Sequence, residues 1–171
     1  TGKQAPGFYR YKVGDLEVTV VTDGARSFAL TPDYVVNAPI ADVRQALLEA
    51  RLPADQMTHH YAPIVINTGS RLIVIDTGSG PAALAETNGA VGQFITNLTA
   101  SGIDPKSVDA VVISHFHPDH VNGLVDANGR PVFPQAEVLV PSVEWKYWMD
   151  DGEMSRAPKG RMEALFKNNR S

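Results

Sequence analysis

Apolar and polar positions along the chain follow two periods. Phe8 to Val13 and Leu16 to Thr22 are rich in aromatic and β-branched residues, with Gly14-Asp15 between them. That pattern predicts a β-hairpin, ended by Asp23-Gly24. Residues 25–38 show neither period and carry Pro32, so they read as irregular. From Ile40 to Arg51 the period changes. Val43, Ala46, Leu47 and Ala50 fall at i, i+3, i+4 and i+7, which predicts a helix with one apolar stripe facing a core. Pro53 closes it, and residues 54–61 read as a polar loop carrying His59 and His60.

A second hairpin is predicted from Ile64-Val65-Ile66 and Leu72-Ile73-Val74-Ile75. The latter run is apolar at every position, as in a strand covered on both faces, and it ends in Asp76-Thr77-Gly78. A Gly-rich loop and a helix of about 12 residues follow, with Val91, Phe94, Ile95 and Leu98 on one stripe and Gly102 as its stop. Val108 to Ile113 reads as a buried strand, and Ala136 to Val140 as a short one. Ser142 is expected to cap a helix holding Trp145, Tyr147 and Trp148. Residues 160–168 suggest a last amphipathic segment. Strands alternating with helices predict an α/β layered fold.

Composition narrows the function classes. A chain of 171 residues makes one compact domain, residues 1–171. No apolar run approaches the roughly 20 residues that a bilayer requires, so a membrane partner is not expected. The net charge of -4 and the absence of a basic block argue against nucleic acid. With no cysteine there is no thiolate ligand or nucleophile, so any metal must be held by His and carboxylate. The first seven residues contain no apolar stretch and no initiator Met, which suggests a chain processed after export to the periplasm or medium; the alternative is a cytoplasmic start.

Three of the five histidines lie in His115-Phe116-His117-Pro118-Asp119-His120, an H-x-H-x-D-H pattern. The segment leaves a strand, so His115 and His117, at i and i+2, project to one side and can grip one ion. Asp119 and His120 would begin the next helix and point to an adjacent position. Nitrogen and oxygen donors without sulfur suit Zn, Mn, Fe or Co better than Ca or Mg. The plainer alternative is a polar loop whose histidines only form hydrogen bonds. Three of them beside an Asp, at the end of a buried strand, favour the metal.

These residues resemble the metallo-β-lactamase-fold hydrolases. Ser114 to His120 is similar to their metal motif, and Ile73-Val74-Ile75-Asp76-Thr77-Gly78 to their strand ending in Asp-Thr-Gly. Ala5-Pro6-Gly7-Phe8-Tyr9-Arg10, Gly14 to Thr19 and Asp23-Gly24 are similar to one branch, the methyl-parathion-hydrolase-like enzymes, relatives of the N-acyl-homoserine lactonases. The resemblance implies an αβ/βα four-layer sandwich, of which this chain covers roughly the N-terminal half. It implies two divalent ions, with Zn the first expectation. His115 and His117 would bind the first ion, and Asp119 and His120 the second. Asp119 could also shuttle a proton. Asp76 would stand behind the ligands and orient one of them, or cap the following loop. Phe116 and Trp148 would line an apolar substrate pocket, unless they are packing residues.

The family takes further His and Asp ligands from downstream strands, and no histidine follows His120 here. The expected substrate is a small ester: an organophosphate triester or aryl ester, or alternatively an N-acyl-homoserine lactone. A third expectation is a non-catalytic fragment or one half of a split assembly. Homodimerisation, or association with a C-terminal half, would cover apolar surface left open by such a half.

Overall fold

The computed structural model describes residues 4–171. The fold is mixed α/β, and its contacts divide into two compact units. One comprises the chain up to Gly24 together with Tyr61–Ser171; the other is Ala25–His60. Among the described residues, no helix is long and apolar enough to cross a membrane.

The larger unit is built on a six-stranded sheet. Its strands are β1 (Phe8–Val13), β2 (Leu16–Val21), β5 (Ile64–Asn67), β6 (Leu72–Ile75), β7 (Ala110–Val112) and β8 (Glu137–Leu139), in that spatial order. The first four pair antiparallel through two hairpins, and β6, β7 and β8 pair parallel. The parallel connections carry the helices: α2 (Gly80–Glu86) and α3 (Phe94–Ala100) between β6 and β7, and α4 (Pro118–Val121) between β7 and β8. After β8 come α5 (Ser142–Trp148), α6 (Asp151–Arg156) and α7 (Arg161–Asn169).

Register divides the sheet into two faces. Thr19, Val65, Val74 and Val111 form one row across β2, β5, β6 and β7, and all four are buried. Phe94 and Leu98 of α3, Trp148 of α5, and Leu165 and Phe166 of α7 complete the core on that face. Each such side chain contributes about 1.5–3 kcal/mol by leaving water. The opposite face carries Tyr9, Tyr11, Val13 and Leu16 exposed, with Ile64, Ile66, Ile73 and Ile75 half-buried. The all-apolar β6 is therefore covered on one face, with Val74 its one buried residue, rather than on both as its pattern suggests.

The smaller unit departs furthest from expectation. Residues 25–38 and 54–61 are not simply irregular, because β3 (Gly24–Ala29) and β4 (Gln56–Tyr61) pair into a two-stranded ribbon. Strand β3 has no alternating apolar face, and β4 alternates only between exposed residues and the half-buried Met57, His59 and Tyr61, a face too polar to announce a strand. Helix α1 (Ile40–Glu49) forms where the period places it, yet none of its residues is buried and its stripe is half-covered at best. His59 lies in this ribbon with Tyr34 bonded to its Nε2 and Phe28 edge-on at 4.9 Å, while His60 is exposed.

Three smaller corrections concern helices. The 12-residue helix through Val91 is instead the shorter α3; Val91 precedes it in an isolated bridge to Gly24. Gly102 does stop α3, at φ 88°. Ser142 is the first residue of α5, not its cap; Pro141 precedes it and no side chain caps that end. Helix α6 was not anticipated: its start is set by Asp150, whose carboxylate accepts the Glu153 N–H at 2.8 Å.

Candidate functional site

The site forms where β6 and β7 end side by side. Asp76 follows β6 at φ 60°, a left-handed conformation that Asp tolerates better than most residues. Its N–H donates to the Val112 carbonyl at 2.9 Å, tying it to the end of β7. The Asp76 carboxylate then faces three groups. Oδ1 accepts the Ser114 N–H at 2.7 Å; Oδ2 accepts the Ser114 hydroxyl at 2.8 Å and lies 2.8 Å from His120 Nδ1. The Thr77 N–H and hydroxyl both donate to the His120 carbonyl, at 2.9 and 2.7 Å.

The same loop is held from behind. Asp23, fully buried at the end of β2, accepts the Ser79 N–H at 2.9 Å and the Phe94 N–H at 3.0 Å. It thereby satisfies donors at the starts of α2 and α3, where a carboxylate is favoured. Gly78, at φ 76°, lies against this carboxylate. Gly123 lies against the Thr77 carbonyl so closely that any Cβ would overlap it.

The histidine segment continues extended past β7, with His117 at φ -73° and ψ 151° before α4 begins at Pro118. His115 and His117 therefore share a side: Nε2 of the first lies 3.1 Å from Nδ1 of the second. His120 Nε2 lies 3.0 Å from Asp119 Oδ2, and its ring centroid is 3.8 Å from that of His115. Two ligands of a tetrahedral ion at 2.0–2.1 Å stand about 3.3 Å apart, so each pair has the separation needed to hold one ion. His120 presents Nε2 outward because Nδ1 faces Asp76, the usual arrangement behind a metal-ligating imidazole. Among the described residues, no three His, Cys, Asp or Glu side chains converge on one ion position, so the donors come two at a time.

Electrostatics separates the pairs. Burial opposes the charge on His120, but Asp119 and Asp76 outweigh it and raise its pKa to about 9. Both carboxylates are lowered: burial opposes their charge, and hydrogen bonds from His120, with Ser114 adding to Asp76, overcome it. The pKa of His115 is lowered by burial and then by its histidine neighbours.

Phe116, between the paired histidines, points the other way. It is buried and forms part of the wall of an apolar cavity of about 640 Å³, together with Leu124, Val138, Val140, Trp145 and Met149. Trp148 lies in the core instead, 4.7 Å from Phe166 and off that wall; Trp145, three residues earlier, is on it. Sequence reasoning did not find roles for Asp23, Ser114, Thr77 or Glu144. Asp23-Gly24 and Ser114 were at least marked by their positions at strand ends. Nothing local marks Glu144, which reaches Phe116 across 28 residues.

Residues 62–167 match the family model of the metallo-beta-lactamase superfamily. Among solved structures, the chain is similar to the hydrolase AbOPH in the beta lactamase superfamily, with 30% identity and a TM-score of 0.83 over 98% of this chain and 56% of that one. It is also similar to AidC, a dizinc quorum-quenching lactonase: 22% identity, TM-score 0.84, covering 95% and 56% of the respective chains. A probable metal-dependent hydrolase from Staphylococcus aureus matches at 25% identity and a TM-score of 0.65, over 85% and 54%. The chain thus spans a little over half the length of these structures.

Proposed function

Since the chain belongs to the metallo-β-lactamase superfamily, we propose that it supplies the N-terminal ligands of a dinuclear metallohydrolase that cleaves organophosphate triesters or related aryl esters. The observation that carries this reading is the pair of two-donor sets, with Asp76 fixing His120 from behind. His115 and His117 hold one divalent ion, Zn in the first instance, and Asp119 and His120 hold the other. Bound there, the ions supply the Lewis acidity for hydrolysis. Asp76 keeps a proton on His120 Nδ1, and the Nε2 proton, directed at Asp119 Oδ2 at 3.0 Å, is the one that would be given up to an ion. Asp119, ionised and bonded to His120, is the residue placed to hold or pass a proton at Oδ2.

The substrate class is supported by the resemblance of residues 5–10, 14–19 and 23–24 to the methyl-parathion-hydrolase-like branch. Lactone ring opening is the second reading, since that branch and the lactonases are relatives. The full-length protein, loaded with Zn, is to be assayed on a chromogenic aryl phosphotriester and on an N-acyl-homoserine lactone. Triester turnover that a chelator abolishes, and that His115→Ala and His120→Ala each cut by roughly 100-fold or more, supports the proposal. Turnover of the lactone alone selects the second reading. Stoichiometric metal with neither activity removes both substrate classes.

A further inference from the structure

We propose that Glu144 is a positioning residue for the His115–His117 pair, which it sets by holding the backbone between them; this rests on the metal-centre reading above. Past Val112 the segment no longer pairs as a strand. The Ile113 N–H still donates to the Leu139 carbonyl at 2.9 Å, but beyond it side-chain carboxylates replace the sheet. Asp76 takes the Ser114 N–H, and Glu144 Oε2 takes the Phe116 N–H at 2.8 Å. A bond from a carboxylate to a backbone amide is among the stronger hydrogen bonds available. Because the peptide is planar, gripping the Phe116 N–H fixes the plane that joins residues 115 and 116. The torsions on either side of that plane determine whether the two imidazoles face one point.

Glu144 is itself immobilised. The same Oε2 accepts the Trp148 Nε1–H at 3.0 Å, one turn along α5, and Trp148 packs on Phe166 in the core. Trp145 adds an edge-on contact to the Phe116 ring, with centroids 6.5 Å apart. Helix α5 thus serves as a rigid backing for the first donor pair, connected through one carboxylate.

The test compares three variants of the full-length protein by Zn competition against a chromogenic chelator and by the visible spectrum of the Co-substituted form. Glu144→Ala is expected to weaken metal binding by about 10–100-fold and to alter the Co spectrum. Glu144→Gln keeps an oxygen acceptor for the Phe116 N–H and is expected to restore most of that loss. Trp148→Phe removes the other donor, which only steadies Glu144, and is expected to lower Tm and to weaken Zn binding clearly less than Glu144→Ala does. The inference is overturned if Glu144→Ala binds Zn like the wild type, or if Trp148→Phe weakens binding equally. Should Glu144→Ala not fold, the Phe116 amide proton in Glu144→Gln decides: an upfield shift from the wild-type position supports the bond, and an unchanged shift refutes it. A wild-type protein that takes up no metal defeats the metal-centre reading, and this inference with it; normal wild-type loading beside an unaffected Glu144→Ala defeats this inference alone.

Discussion

His115 and His117 owe their placement to an extended backbone, whereas Asp119 and His120 owe theirs to a network of side-chain charge. The first pair has imidazoles at i and i+2 in contact with each other, and among the described residues the side chain bonded to either ring from outside the pair is the neutral Ser114 hydroxyl, at His115 Nδ1. The second pair begins a helix, and its imidazole sits between two carboxylates, at 2.8 and 3.0 Å. A pair set by backbone geometry is sensitive to whatever grips the peptide. A pair set by charge is sensitive to protons and to the loss of a single anion. The two halves of one six-residue motif should therefore fail under different insults.

The largest effect is expected from Gly123→Ala. The new methyl would overlap the Thr77 carbonyl and push the turn after α4 off the 76–78 loop. Overpacking of this kind costs about 1–3 kcal/mol or more, and here it should abolish the second ion's uptake before the first. Metal stoichiometry falling from two to one would show it; loss of both ions together would erase the distinction between the pairs. Asp76→Asn comes next. Asn tolerates the φ of 60° but carries no charge for His120. A loss of roughly 2 kcal/mol in thermal unfolding is expected, with metal affinity weakened at the His120 side.

Titration of the metal-free protein gives a smaller effect. His120 should hold its proton up to about pH 9, while His115 loses its own below 6.5. Because the pKa of His120 is raised on folding, its contribution to stability is complete below pH 6.5 and is lost as pH rises through about 9. About 1–2 kcal/mol should disappear across that window, a discounted figure because a quarter of the side chain remains in water. Histidine NMR shifts against pH would check both halves of the comparison. The smallest effect belongs to Ser114→Ala, which removes one hydroxyl donor from Asp76 but keeps the Ser114 N–H in place. About 0.5–1 kcal/mol is expected, with metal stoichiometry intact.

The motif itself was legible because its spacing is local: i and i+2 on an extended chain, then a proline that starts a helix. The strands of the main sheet were legible for the same reason, as runs of β-branched residues. What could not be read was long-range. Glu144 reaches Phe116 over 28 residues, and Asp23 reaches Phe94 over 71. No periodicity encodes such partners. The β3–β4 ribbon is illegible for a different reason: its cross-strand side-chain contacts, Ser27 with Thr58 and Phe28 with His59, leave no local pattern, and Gly24-Ala25-Arg26-Ser27 lacks the side chains that mark a strand. The covering of β6 was misjudged because an unbroken apolar run does not say whether a second layer is present in the same chain.

The contacts of Asp23 also bear on the order in which the molecule assembles. Its carboxylate joins the end of β2 to the starts of α2 and α3, closing loops of 56 and 71 residues. Such closures are slow compared with hairpins, because chain entropy is surrendered before the contact forms. Until they form, the turn bearing Asp76 lacks the Asp23 contacts behind it, even if β5, β6 and β7 are already paired. Metal capture at His120 should therefore be a late event, following the docking of the N-terminal hairpin and not the synthesis of the motif.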